Sequence, residues 1–141
     1  MWKIYCDGAY SSKADCGGIG IVFIKNEELV YTYSKAYKNT TNNKMELIAV
    51  ITALNSFAKE VNEITIYTDS MYVFGCATLN WKRSKNIELW RKFDEIYTKT
   101  SKLTKNGIKW IHVKGHQKDD SIDTKYNNLA DKLAVEAVLT Y

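Results

Sequence analysis

Two segments of this chain repeat one short pattern, a β-strand followed by an aspartate. Residues 3–7 read KIYCD and residues 65–69 read TIYTD. If the two strands lie side by side and run parallel, Asp7 and Asp69 emerge together at one end of a sheet, where open α/β sheets bind ligands. Two carboxylates there repel each other unless a cation lies between them. The repeat therefore predicts a metal-dependent site, although an aspartate after a strand can also start a turn or cap a helix.

Length and charge limit the classes of protein that need to be considered. The 141 residues are enough for one domain with a hydrophobic core, and we expect a single domain over residues 1–141. A formal net charge of +4 favours a polyanionic partner. Three cysteines without Cys-x-x-Cys spacing argue against a disulfide framework or a zinc site. With no apolar segment long enough for a signal peptide or membrane span, we expect a cytoplasmic protein without membrane contact. We also expect a monomer.

The pattern of apolar residues predicts an α/β fold. Predicted strands cover residues 2–6, 21–24, 29–37, 64–68 and 108–113. Four helices are predicted. The first begins at a cap at residue 42 or 43, and the second runs from 70 to about 85 with Gly75 as a weak point. The third runs from 87 to about 97, and the last follows a loop that ends near residue 125. The order β-β-β-α-β-α-α-β-α, with hairpins first and crossovers later, indicates a five-stranded mixed sheet with helices on both faces.

Two further acids stand where a carboxylate needs an explanation. Glu46 lies at the edge of the apolar stripe of the first predicted helix, and burying an unpaired carboxylate costs several kcal/mol. A lysine or a metal ion could pair with it. Asp131 falls in the first turns of the last predicted helix, where interaction with the helix dipole is a sufficient account if the residue is taken alone.

A set of three or four carboxylates favours hard cations such as Mg²⁺ or Mn²⁺ over zinc. Two such ions about 4 Å apart can activate a water and stabilise the leaving oxygen of a phosphodiester. We therefore expect hydrolysis of a phosphodiester.

Several motifs, in order along nearly the whole chain, resemble the type 1 ribonuclease H family. Each is weak alone, and together they are highly specific. They are DGA at residues 7–9 with GGIG at 17–20, TTNNKMEL at 40–47, YTDSMYV at 67–73, KGH at 114–116 and NNLADKLA at 127–134.

The resemblance implies a ribonuclease H-like fold and an endonuclease that hydrolyses the RNA strand of RNA–DNA hybrids. Asp7, Glu46, Asp69 and Asp131 would be its metal-binding carboxylates, holding two Mg²⁺ ions, with Mn²⁺ as a possible substitute. The products would carry 5′-phosphate and 3′-hydroxyl ends. His116 would assist departure of the 3′-oxygen or release of product, whereas His112, inside a strand, is interpreted as structural.

The resemblance also implies a set of substrate contacts. The RNA strand of a hybrid displays its 2′-hydroxyls in a wide minor groove, and Asn43 with the backbone near Gly8 and Ala9 would contact that groove. Thr41 and Asn86 match positions that hold a phosphate of the DNA strand. Trp81 matches an aromatic residue on which a deoxyribose packs, although a role in the core is an alternative because tryptophan is often mostly buried. The substrate would gain salt-dependent affinity from the positive charges of Lys82, Arg83 and Lys85.

Two features depart from the family pattern. Met71 stands where the family often has a glutamine that contacts the minor groove. The segment 80–90 is too short for the basic protrusion, an extra Lys/Arg-rich helix between the equivalents of Lys82 and Asn86. We therefore expect weak or strongly salt-sensitive binding of the substrate.

Other enzymes and binding proteins on the same fold are alternatives to this function. An integrase-like or resolvase-like enzyme is the main rival. A proofreading-type exonuclease usually has Asp-x-Glu in the first strand, whereas residue 9 is Ala. A hybrid-binding module with an inactive site would have no need of four carboxylates that repel phosphate.

Overall fold

A computed structural model describes residues 1–115 and 117–141 of the chain. Strands and helices follow one another in the predicted order. The strands are β1 (Trp2–Ser11), β2 (Cys16–Lys25), β3 (Glu28–Lys38), β4 (Ile64–Thr68) and β5 (Ile108–His112), and the helices are α1 (Asn42–Asn55), α2 (Met71–Thr78), α3 (Ile87–Ser101) and α4 (Ile122–Leu139). No helix in these two ranges has the length and apolar character that crossing a bilayer requires.

The five strands form one mixed sheet in the order β3-β2-β1-β4-β5. The first three strands pair antiparallel, as short connections allow. β1 pairs with β4 in parallel, and their last matched residues are Cys6 and Thr68. The predicted parallel pairing of the two repeated segments is therefore confirmed.

Both faces of the sheet are covered by helices. Successive side chains of a strand point to opposite faces, so Ile4 and Cys6 join a core with α1 and α3, whereas Tyr5 joins a smaller cluster with Ala130 of α4. The predicted α/β class with helices on both faces is confirmed, and α1 and α4 meet the central strand from opposite sides.

β1 is longer than predicted, which changes the position of Asp7. The strand continues to Ser11 because its antiparallel pairing with β2 extends to the pair Ser11–Cys16. Asp7 thus lies inside β1, at the level where the parallel partner β4 ends and Asp69 follows.

The helix boundaries differ from the prediction in all four helices. α3 ends at Ser101 rather than near residue 97. α2 ends at Thr78 rather than near residue 85, because Asn80 takes a left-handed backbone (φ 60°) and the amides of Leu79 and Trp81 both donate to the carbonyl of Gly75. α1 is capped by Thr41, one residue before the predicted cap. α4 begins at Ile122, capped by Ser121, so Asp131 lies in the middle of the helix rather than in its first turns.

Candidate metal centre

Three of the four predicted carboxylates converge at one edge of the sheet. One oxygen from each of Asp7, Glu46 and Asp69 lies within 4.8 Å of the other two. Asp7 and Asp69 meet because β1 and β4 run parallel and in register up to the residues that precede them. Asp131 does not belong to this group of three, although it lies near enough to contribute to the raised pKa of Asp7.

Glu46 reaches the group because α1 packs directly on the backbone of β1. A Cβ atom at Gly8 would lie 2.5 Å from the backbone nitrogen of Glu46, so this approach requires glycine. The amide of Gly8 donates to Oδ1 of Asp7 at 2.9 Å and also to Oε1 of Glu46. One backbone N–H therefore fixes two carboxylates relative to each other.

Asp131 arrives from the opposite face by a similar contact. Gly20 pairs with Asp7 across β1 and β2, and a Cβ there would collide with the carbonyl oxygen of Ala130 in α4. The helix thus lies against the strand pair beside Asp7. A charge in mid-helix gains little from the helix dipole, which acts within the first and last turns, so the dipole does not account for this aspartate.

The site is a buried, electrostatically strained group of acids. Asp7 is 3% and Glu46 7% exposed, whereas Asp69 is half-buried. Burial, followed by the charge of Glu46, raises the pKa of Asp7 far above its usual range. Burial likewise raises the pKa of Glu46. The pair of Asp7 and Glu46 therefore favours holding a proton unless a positive charge enters the site.

The donor set fits a hard divalent cation. In the described part of the chain, none of the salt bridges involves Asp7, Glu46 or Asp69, so the lysine partner considered for Glu46 is not found there. Oδ2 of Asp7 is buried without a hydrogen-bond partner among the described residues. An all-oxygen site with an unpaired buried carboxylate oxygen suits Mg²⁺ or Mn²⁺.

The predicted groove contacts lie beside these acids. Gly8 and Ala9 follow Asp7 on β1, and Asn43 is exposed in the first turn of α1.

The hydroxyl of Thr41 accepts a hydrogen bond from the amide of Lys44, which leaves its own proton available to a ligand. Asn86 immediately precedes α3 and lines a cleft with Lys44.

Trp81 is 46% exposed, so the alternative of a core residue does not hold. Its indole lies on Gly75 of α2, where any Cβ would collide with the ring. Met71 begins α2 and is 41% exposed, and Lys82 is also exposed. These positions are accessible to a ligand. The exposed segment 79–86 contains no helix.

Arg83 has protein partners, unlike its neighbour Lys82. Its Nε donates to the carbonyl of Cys76, its Nη1 binds both oxygens of Asp94 at 2.8 Å, and its guanidinium lies 4.4 Å from the ring centroid of Trp90. These contacts favour a structural role over the predicted contact with substrate.

Of the two histidines, His112 is among the described residues and contacts the site. The predicted catalytic residue His116 lies outside the described residues. His112 was interpreted as structural, and Nε2 of its ring lies 3.2 Å from the carbonyl oxygen of Asp69. His112 therefore contacts the backbone of Asp69 and helps to hold it in place. No local sequence signal reveals this contact, because it joins residues 43 positions apart.

The family model for RNase H matches residues 1–139. The chain belongs to the ribonuclease H family. Its members are nucleases, so the chain is placed among the phosphodiester hydrolases.

Curated ribonucleases H resemble it over nearly their full length. The ribonuclease H of Clostridium botulinum is 40% identical over 96% of this chain and 93% of its own, and that of Acetivibrio thermocellus is 37% identical with the same coverage. The ribonuclease HI of Haemophilus influenzae is 37% identical over 94% of this chain and 86% of its own. These similarities confirm the family indicated by the sequence motifs.

Solved structures agree on the fold. RNase H1 from the halophilic archaeon Halobacterium salinarum superposes with a TM-score of 0.77 at 24% identity, covering 99% of this chain and 98% of that one. LC11-RNase H1 in complex with an RNA/DNA hybrid gives a TM-score of 0.76 at 22% identity with the same coverage. The predicted ribonuclease H-like fold is therefore confirmed.

Proposed function

We propose that this ribonuclease H cleaves the RNA strand of RNA–DNA hybrids with two divalent ions held by Asp7, Glu46, Asp69 and Asp131. The observation that carries the proposal is the convergence of three acidic oxygens within 4.8 Å of one another, in a chain of this family. The hybrid bound to the structurally similar LC11-RNase H1 supports the choice of substrate.

The ions are proposed to be Mg²⁺, with Mn²⁺ as a substitute. When bound, they would polarise the attacking water and offset the charge on the departing 3′-oxygen. The chain's own residues would hold them. The Gly8 amide donates to both Asp7 and Glu46 and fixes them relative to each other, and Asp69 is the most exposed of the three converging acids.

The proposed reaction is hydrolysis of the P–O3′ bond. The water oxygen joins phosphorus, and the 3′-oxygen leaves and takes up a proton, giving 5′-phosphate and 3′-hydroxyl ends. His116 is proposed to assist the 3′-oxygen or the release of product. The burial of Asp7 and Glu46 keeps bulk water from solvating the acids, which strengthens their attraction for a cation.

Substrate contacts are proposed around this centre. Asn43 and the backbone at Gly8 and Ala9 would meet the minor groove of the hybrid, where 2′-hydroxyls distinguish RNA from DNA. Thr41 and Asn86 would hold a phosphate of the DNA strand.

The exposed indole of Trp81 would support a deoxyribose of the DNA strand. The exposed Lys82 and Lys85 would add affinity that falls with salt. Arg83, which already has partners in the protein, would add little to this surface.

The test is a cleavage assay with a 5′-labelled RNA strand paired with DNA, beside duplex RNA and duplex DNA of the same sequence. With Mg²⁺ or Mn²⁺, only the RNA of the hybrid should be cut, and the downstream fragment should be a substrate for ligation without prior phosphorylation. Equal cutting of all three duplexes, or fragments with 5′-hydroxyl ends, would overturn the proposal.

A further inference from the structure

The hydroxyl of Tyr72 joins two helices through hydrogen bonds that it accepts. Nδ2 of Asn86 donates to it at 3.0 Å, and the indole Nε1 of Trp90 donates at 2.9 Å. Tyr72 belongs to α2, whereas Asn86 precedes α3 and Trp90 lies within α3. The ring of Tyr72 packs edge-on against Trp90, with centroids 5.9 Å apart.

The side chain of Asn86 is not used in the way its position favours. An asparagine that precedes a helix commonly accepts a hydrogen bond from an amide of the first turn. Asn86 has a left-handed backbone (φ 57°), and its side chain makes no capping hydrogen bond. Its amide is hydrogen-bonded to Tyr72 instead. The orientation of the amide is therefore set by α2, not by the helix that follows it.

Among the described residues, one amide hydrogen of Asn86 is left for a ligand. An asparagine Nδ2 carries two donor hydrogens, and Tyr72 accepts one of them. Asn86 lines a cleft of about 510 Å³ together with Asn39, Lys38 and Lys44, between the beginnings of α1 and α3. The one acid among the described lining residues, Glu88, is paired with Arg91. Amide donors and a lysine suit an anion such as a backbone phosphate.

We propose that Tyr72 is a positioning residue, whose hydroxyl orients the amide of Asn86 towards a phosphate of the DNA strand. This inference rests on the proposed function and adds to it the source of the amide's orientation. Tyr72 acts through Asn86 and does not touch the substrate. Without the hydroxyl, the amide of Asn86 becomes free to rotate, and binding of the phosphate weakens.

The test is a double-mutant cycle with Tyr72→Phe and Asn86→Ala on hybrid cleavage. Tyr72→Phe should raise KM about fivefold, the value of one ordinary hydrogen bond, and leave kcat unchanged. In the Asn86→Ala background the same change should have no further effect on KM. Tyr97→Phe is the matched control because Tyr97 lies on the same helix α3, where its ring packs against Phe93 of that helix and Trp110 of β5. Its KM should equal that of the wild type.

A neutral phosphate gives a second readout that does not depend on folding. A single methylphosphonate is placed at successive positions of the DNA strand. At one position it should raise the KM of the wild type and of Tyr97→Phe by a larger factor than that of Tyr72→Phe, because only the contact of Asn86 is weakened in Tyr72→Phe, whereas that of Thr41 is kept. Because Tyr72→Phe leaves the Trp90 indole unpaired, urea unfolding must first show that the variant is folded. If it is not, the pair Tyr72→Phe, Trp90→Phe removes donor and acceptor together and takes its place.

Two results would overturn the inference. An unchanged KM in Tyr72→Phe would show that the hydroxyl does not matter for binding. A full additional loss in the double variant would show that Tyr72 acts independently of Asn86. Either result leaves hybrid cleavage by the wild type intact, whereas absence of that cleavage would instead overturn the proposed function.

Discussion

The buried acids predict an unusual dependence of stability on pH in the metal-free protein. Burial raises the pKa of both Asp7 and Glu46, so the folded state holds protons that the unfolded state has already released. Stability is then greatest at low pH and falls as pH rises above the ordinary carboxyl range towards the raised pKa values. This is opposite in sign to the effect of a carboxylate stabilised by a salt bridge.

The size of the effect follows from proton counting. One extra proton held by the folded state changes the free energy of unfolding by about 1.4 kcal/mol per pH unit. Between pH 5.5 and 7.5 the wild type in EDTA should therefore lose about 3 kcal/mol, if the acids Asp7 and Glu46 retain one proton between them.

Urea unfolding followed by tryptophan fluorescence measures this slope. Asp7→Asn should flatten it and raise stability at pH 7.5, because one buried acid is gone. Glu60→Gln is the matched control, since Glu60 is a surface carboxylate with 67% side-chain exposure, and it should keep the wild-type slope. Excess Mg²⁺ should stabilise the protein more at pH 7.5 than at pH 5.5, because the cation replaces the proton. A flat or rising curve for the metal-free wild type would refute the electrostatic reasoning.

Three further predictions concern the substrate-binding side of the molecule. Gly75→Ala should improve helix propensity by about 1 kcal/mol but displace the indole of Trp81. The KM for hybrid should therefore rise with little change in stability to urea. An unchanged KM would argue against Trp81 as the residue that supports a deoxyribose. Arg83→Ala should lower the free energy of unfolding by about 1–3 kcal/mol, because its hydrogen bonds to Cys76 and Asp94 are lost. The KM for hybrid should be nearly unchanged. A raised KM with unchanged stability would instead indicate a direct contact with substrate. Hybrid Kd should rise steeply from low to physiological salt, and a nearly constant Kd would contradict the expected dependence on surface lysines.

The sequence predicted those features that depend on local pattern and on chain topology. The two repeated segments, 3–7 and 65–69, pair in parallel, and the order of helices and strands is as expected. The convergence of Asp7 and Asp69 could be predicted because parallel pairing fixes which ends meet. Glu46 could be identified from its position at the edge of an apolar stripe, where a carboxylate requires a partner.

Features that depend on long-range packing could not be predicted in the same way. α2 stops at Thr78 because the chain turns at Asn80 and places Trp81 on Gly75, a contact that apolar periodicity does not encode. Arg83 looks like a free surface charge in the sequence, yet Asp94 and Cys76 bind it from later and earlier helices.

The hydrogen bond between Asn86 and Tyr72 could not be predicted either, since Tyr72 lies 14 residues away on another helix. Side chains that hold a site residue in place are thus harder to find from sequence than the site residue itself.

The most direct test of the central claim is the rate of hybrid cleavage by Asp69→Asn in Mg²⁺, measured beside the wild type and Glu60→Gln. Asp69→Asn removes one ligand charge from the three converging acids and keeps the shape of the side chain. The account predicts that cleavage falls more than about 100-fold, beyond the usual effect of altering a residue that only supports a metal ligand, while Glu60→Gln cleaves like the wild type. Cleavage by Asp69→Asn at close to the wild-type rate would contradict the assignment of the metal centre.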